Sequence, residues 1–253
     1  MTPAAIVSRN RAHVITAFAA VYLAWGSTYL FIKFAVEAIP PFFLGATRFL
    51  VAGLVLYLAA RLRGAPAPSR AESRAAATSG LLMLGIGNGS VLWAAQVVPS
   101  GLLALIIAGV PLWMVLADWI GRGTPPRPPV LFGVAMGLIG IAILLGPRIF
   151  VGRGNVDPVG ALVLLLGSVS WAVGSIWTRH QERPRSALIS VALQITAAGV
   201  AFAVATVVSG ELPRFSVDDI TPRAAFAWVY LVLCGSLIGH TAYIYLLGAV
   251  SPA

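Results

Sequence analysis

The chain has 253 residues, 59% of them hydrophobic and only 10% charged, where soluble proteins carry roughly 25% charged residues. A soluble globular fold is thereby excluded. The formal charge of +9 does not mark a nucleic-acid surface, because the arginines fall in short loops between apolar blocks, where they orient a chain in a bilayer.

The apolar blocks are about 20 residues long, enough to cross a hydrocarbon core of about 30 Å as helices. No alternation of polarity over segments of about 10 residues runs through the chain, as a membrane β-barrel would need. The first helix is expected roughly from His13 to Val36, after Arg9 and Arg11 and without a small-residue cleavage pattern. It holds the run AWGSTYLFIK, Ala24 to Lys33. At helical spacing Phe18, Tyr22, Trp25, Tyr29 and Lys33 form one stripe, a candidate cavity wall for an amphipathic solute. The plainer alternative is a set of interfacial aromatics with a snorkelling lysine.

The second helix, Pro41 to Ala60, carries Arg48, seven residues in and so about 10 Å below the helix end. A charge at that depth must face protein or water. Arg48 either attracts a carboxylate or gates a vestibule, or it ties to backbone carbonyls or to Glu37. Between Arg74 and Asp118 lie 43 uncharged residues, too many for one crossing, and VVPSG divides them into helices Ala75 to Gln96 and Pro99 to Ala117. Asn88, Leu92 and Gln96 share a face of the first of these. The two amides either read a substrate or hydrogen-bond neighbouring helices. GIGNGS at 85–90 is no phosphate loop, since it lacks the strand, the lysine and the acidic partner.

A fifth helix runs from Pro129 to Gly146 and a sixth from Pro158 to Thr178. The sixth contains SWAVGSIWTR, the opening motif again 146 residues on, with Trp171 and Ser175 on one face. The seventh, Ala187 to Ser209, is almost wholly apolar. The eighth, Ala224 to Val250, contains Cys234, read as packing, and His240, a candidate proton-coupling group or else a satisfied packing residue. Gly85 with Gly89, Gly133 with Gly137, and Gly235 with Gly239 read as close-approach surfaces. Nothing in the sequence calls for a cofactor, a metal or a catalytic residue.

With the N-terminus cytoplasmic, eleven loop arginines lie inside and four outside, a positive-inside bias. The match of helix 1 to helix 6, and of QVVPSG at 96–101 to GAVSPA at 248–253, indicates a repeat of five helices. An odd repeat must enter the membrane from opposite sides, which is the inverted-topology arrangement of carriers. The expected fold is therefore all-α, integral to the membrane, with repeats at 1–146 and 147–253. The second repeat holds about three of its five helices, so the reading expects helices 9 and 10 to follow SPA in a ten-helix parent.

AWGSTYLFIK, PPFFLGATRFLVAG at 40–53, GNGSVLWAAQVVPSGL at 87–102, GSVSWAVGS at 167–175 and GSLIGHTAYIYLLGAVSPA at 235–253 together resemble the EamA-type branch of the drug/metabolite transporter superfamily. The resemblance covers nearly the whole chain. It implies two inverted five-helix repeats and an exporter of amino acids, metabolites or drugs in a bacterial inner membrane. The partners expected are a small-molecule solute and the lipid bilayer, with no nucleic acid. A passive channel or scaffold is the competing function, and an intramembrane lipid enzyme the less favoured one, because the three histidines and eight acids are scattered.

Overall fold

A computed structural model describes residues 3–123, 125–150, 157–181 and 184–250, with side chains at 11–121, 123, 125–143 and throughout the last two stretches. Arg153, Arg183 and the closing SPA lie outside the described residues. Among these residues every regular element is helical.

Helices α1 (Pro3–Ala35) and α2 (Pro41–Leu62) are joined by a short turn, and Pro41 opens α2 at the first position, where a missing N–H is harmless. Helix α3 (Arg70–Gly80) starts at a reciprocal cap: Ser69 Oγ accepts from Glu72 N at 3.1 Å, and Glu72 Oε2 accepts from Ser69 N at 2.6 Å. It continues without a break into a π-helical segment, Leu81–Asn88, and then α4 (Gly89–Ala94). Helices α5 (Ser100–Ile107) and α6 (Val110–Arg122) together make the next crossing; Gly123, at φ 68°, ends α6 in the left-handed region. Helices α7 (Pro128–Phe150), α8 (Pro158–His180) and α9 (Ala187–Val208) are single rods. The last crossing repeats the plan of the third, with α10 (Pro222–Tyr230), a second π-helical segment (Leu231–His240) and α11 (Thr241–Ala249).

Seven of these crossings are long and apolar enough to span a bilayer, and α7 supplies a further apolar helix. The eight expected helices are thus present, but three are compound, because glycine or proline interrupts α-helical bonding within them. The outward faces are as apolar as the inward ones. On α2, Leu50, Leu54 and Leu58 are exposed while Phe49, Ala52 and Leu56 are buried, as a helix between lipid and protein requires.

Since lipid is as apolar as leucine, these helices associate through close fit and hydrogen bonds. Helix α2 crosses α9 at glycine on both sides. A Cβ on Gly53 would lie 2.2 Å from Thr196 Oγ1, and one on Gly199 would lie 2.9 Å from the Leu50 nitrogen. Thr196 follows Leu50, and Gly199 follows Gly53, by the same 146 positions, so the contact is reciprocal. A second reciprocal pair sits at the π segments. There a Cβ on Gly87 would meet Trp171 Cε3 at 3.0 Å, and one on Gly239 would meet Trp25 Nε1 at 2.5 Å. Of the small-residue pairs read from the sequence, Gly235 with Gly239 is engaged at both positions, against Thr28 and Trp25, and each of the other two at one position. Gly137 lies against Leu112 and Gly89 against Phe202, whereas Gly133 faces open space and Gly85 meets only its own helix.

Glu211, in the turn after α9, caps α2 from across the chain. Its carboxylate accepts from Phe42 N at 3.2 Å and Phe43 N at 2.8 Å, placing negative charge at the positive end of the helix. Glu37 pairs with Arg223 at 3.7 Å, a half-exposed bridge, and so is not the partner of Arg48.

The tightest approach of backbone to backbone lies between α3 and α9, where a Cβ on Gly80 would sit 2.1 Å from the Gln194 carbonyl oxygen. Gly80→Ala should therefore force two backbones apart and cost about 3 kcal/mol or more, lowering the thermal midpoint in detergent. Gly101→Ala, with open space around it, is the control expected to leave that midpoint unchanged. Glu211→Ala should cost about 1–2 kcal/mol through the lost cap; an unaltered midpoint would contradict the assigned role.

Candidate functional site

A cavity of about 630 Å³ lies among the crossings. Helix α1 contributes Tyr22, Trp25 and Tyr29, α2 contributes Arg48 and Phe49, and the first π segment contributes Leu84, Gly87 and Asn88. Ile107, Pro111 and Met114 close one side, and Trp171, Gly235, Ser236, His240 and Tyr243 complete the wall.

Three rings form its aromatic centre. Trp25 and Trp171 meet edge to face with centroids 5.3 Å apart, and Tyr243 lies 4.9 Å from Trp25 and 5.7 Å from Trp171. Such contacts favour offset or perpendicular geometry because ring faces are negative and ring edges positive. Each polar tip is held. Trp25 Nε1 donates to the Gly235 carbonyl at 3.1 Å and Trp171 Nε1 to the Tyr243 hydroxyl at 3.1 Å. Ser175 Oγ lies 2.6 Å from that hydroxyl and 2.8 Å from the Trp171 carbonyl.

The π segments supply the polar wall. Their bonding to the fifth residue rather than the fourth re-aims carbonyls and side chains, a feature that recurs at functional sites. The Leu82 carbonyl accepts from Ser170 Oγ at 2.8 Å, as Gly235 accepts from Trp25. Ser236 Oγ accepts from Arg48 Nε at 2.8 Å and donates to the Leu231 carbonyl at 3.1 Å. Arg48 is only 2% exposed, and its guanidinium carbon lies 4.5 Å from the Phe49 ring centroid. His240, 1% exposed, is 3.0 Å from Gln194 Oε1 through Nε2, while Gln194 Nε2 donates to Ser190 Oγ at 3.3 Å. With the amide nitrogen so engaged, its oxygen accepts from His240 Nε2–H, which leaves Nδ1 as a lone-pair acceptor.

Of the sequence-derived candidates, Tyr22, Trp25, Tyr29, Arg48, Asn88, Trp171 and His240 line the cavity. Tyr22 does so from its rim and is 70% exposed. Ser175 stands behind the wall and acts on it through Tyr243. Lys33 is not in the wall: Nζ donates to the Ala95 carbonyl at 2.7 Å, tying the end of α1 to the end of α4. Gln96 is not in it either. Helix α4 stops at Ala94, and the turn that follows breaks the register with Asn88, so exposed Gln96 donates to its own Trp93 carbonyl at 3.1 Å.

Gln194, Ser236 and Tyr243 were missed by the sequence reading. Gln194 had a signal, as the one amide of its helix and the residue 146 positions after Arg48. Tyr243 lies one helical step from His240.

Residues 13–146 match the EamA-like transporter family. The chain is 38% identical over 236 residues to the uncharacterized inner membrane transporter YedA of Escherichia coli K12, covering 92% of this chain and 74% of that protein. The chain belongs to the EamA-like transporter family. This EamA-like protein is also 25% identical over 230 residues to protein PecM of Dickeya dadantii, covering 90% of this chain and 73% of that one. Its similarity to the uncharacterized transporter YvbV of Bacillus subtilis is 24% over 192 residues, 76% of this chain and 61% of that one. A solved crystal structure shares the fold at a TM-score of 0.67 and 23% identity, across 94% of this chain and 80% of that chain.

Tyr243→Phe keeps the ring of this EamA-like protein's aromatic centre but strands Trp171 Nε1–H. Loss of a buried partner costs about 1–3 kcal/mol, so the thermal midpoint should fall while the elution volume in detergent stays unchanged. A midpoint equal to that of the parent would show that Trp171 finds another acceptor.

Proposed function

We propose that this EamA-like protein is a secondary-active transporter of the bacterial inner membrane, exporting amino acids, related metabolites or drugs by alternating access through the central cavity. The observation that carries the reading is the cavity itself. It lies where residues 1–146 meet residues 147–253, walled by reciprocal tryptophans from both stretches. Two repeats of opposite topology that rock about such a site expose it to each side in turn. The inner-membrane assignment is supported by the name of the YedA relative, and the cytoplasmic N-terminus by the arginine bias of the loops.

The ring-lined cavity suits a solute with an apolar body, because such walls give area and shape while a few polar atoms fix orientation. His240, held through Nε2 with Nδ1 unoccupied, is the candidate for proton coupling.

Purified protein in proteoliposomes should show saturable solute flux that rises with an imposed proton gradient and collapses with a protonophore. His240→Asn should retain flux down a solute gradient and lose the response to protons. Voltage-dependent unitary currents, or no saturable flux across amino acids, amines and aromatic solutes, would overturn the carrier reading.

A further inference from the structure

Arg48 and Arg179 are among the residues that line the cavity, and among the described residues no Asp or Glu lines it. Arg179 donates to the Val250 carbonyl. Arg48 has five N–H donors, yet among the described residues only Nε has a side-chain acceptor, the neutral Ser236, and Nη1 has none. Glu37 is engaged by Arg223 and Glu211 by the α2 cap. A guanidinium at 2% exposure without a counter-charge costs several kcal/mol in a low-dielectric setting. It is retained where something else supplies the negative charge.

Two acceptors without partners among the described residues belong to side chains that border the same space, Asn88 Oδ1 and His240 Nδ1. The rings of Trp25, Trp171 and Tyr243 line the same cavity. We propose that the cavity is selective for organic carboxylates with an aromatic or alkyl body, Arg48 receiving the carboxylate and the three rings receiving the body. This rests on the carrier reading for its biological sense, but it is a statement about binding. Guanidinium and carboxylate match in charge and in planar geometry, and the pairing is strong where water is excluded. One uncompensated cation favours a monoanion over a phosphate dianion, which would leave surplus negative charge, and over a cation, which Arg48 repels. Asn88 and His240 can accept from an ammonium or hydroxyl on the same solute, so an amino or hydroxy carboxylate fits as well as a plain one.

The test uses the full chain in detergent and a matched probe set: phenylacetate, L-phenylalanine, phenylacetamide, phenethylamine and phenyl phosphate. Ligand-dependent thermal shifts give the affinities. Phenylacetate or L-phenylalanine should bind at least about tenfold more tightly than the amide, the amine and the phosphate. Equal or tighter binding of any of those three, or no selective binding of either carboxylate, overturns the proposal. Arg48→Gln should abolish the preference and Arg48→Lys should keep part of it; an undiminished preference in Arg48→Gln overturns the assignment. If Arg48→Gln does not fold, Asn88→Asp places a counter-charge in the same cavity, and the carboxylate preference should fall about tenfold or more; no change would count against the proposal. Flux in proteoliposomes separates the two readings. Carboxylate binding without saturable flux removes the carrier and leaves the anion site, whereas saturable flux confined to amines does the reverse.

Discussion

The structure depends on how closely apolar helices can approach one another. Surrounded by lipid, the helices gain nothing from hiding leucine, so contact must come from shape and from polar groups that have no water to turn to. Gly53 on α2 and Gly199 on α9 let those two helices meet at backbone distance, and Gly80 brings α3 onto α9 in the same way. Once these helices are fixed, Arg48 and Gln194, which sit on their inner faces, are both held at the cavity end of a rigid frame. A side chain at any of the three glycines would move the frame and carry the polar residues with it.

The same logic explains the two π-helical segments. A regular α-helix in lipid uses its carbonyls internally, which leaves little for a neighbour to bind. At Leu82 and Gly235 the changed ladder presents carbonyls that accept from Ser170 and Trp25. The carbonyl acceptors therefore come from the crossings that also carry Asn88, Ser236 and His240, while the donors come from the helices that carry the paired tryptophans. Departure from ideal helix geometry is concentrated where the cavity needs polar atoms, and the lipid-facing rods α2 and α9 have none of it.

Much of the fold was legible in the sequence because bilayer thickness imposes a length and the interfaces impose charge. Those signals do not depend on tertiary contacts, so eight crossings can be counted from apolar runs, prolines and arginines. The aromatic motif at Trp25 and Trp171 was legible for a related reason: a recurring pattern survives without knowing what it touches. Lys33 and Gln96 read as cavity residues because a face argument tells neither how far along a helix the cavity reaches nor where the helix stops. The stripe of α1 runs past the cavity before it reaches Lys33, and the turn after Ala94 rotates Gln96 away from Asn88. Arg48 could not be assigned a partner from sequence, since Ser236 lies 188 positions away and only tertiary packing brings it near.

Residues 25 and 171 are both tryptophan and 53 and 199 are both glycine, but Arg48 answers to Gln194. An arginine at 194 as well as at 48 would set two guanidinium groups against each other on the facing helices α2 and α9, and an amide at both would leave that side of the cavity without a cation. The mixed pair puts one cation, Arg48, on that side. It also divides the hydrogen bonds into two kinds. Gln194 holds His240, and Tyr243 holds Trp171 and Ser175, all within residues 147–253. Arg48 with Ser236, Trp25 with Gly235 and Ser170 with Leu82 instead bridge that stretch to residues 1–146. Rocking of one stretch against the other, as alternating access requires, would strain the bridging set and spare the internal one. Each of these three bridging bonds at the cavity ends on a π segment, where an altered ladder leaves the backbone more than one way to be satisfied. The Glu211 cap on α2 and the bonds Ser27–Tyr230 and Trp228–Thr47 bridge the two stretches away from the cavity. On that physics the π segments are where movement costs least, and Arg48 is the side chain whose losses a bound anion would best offset.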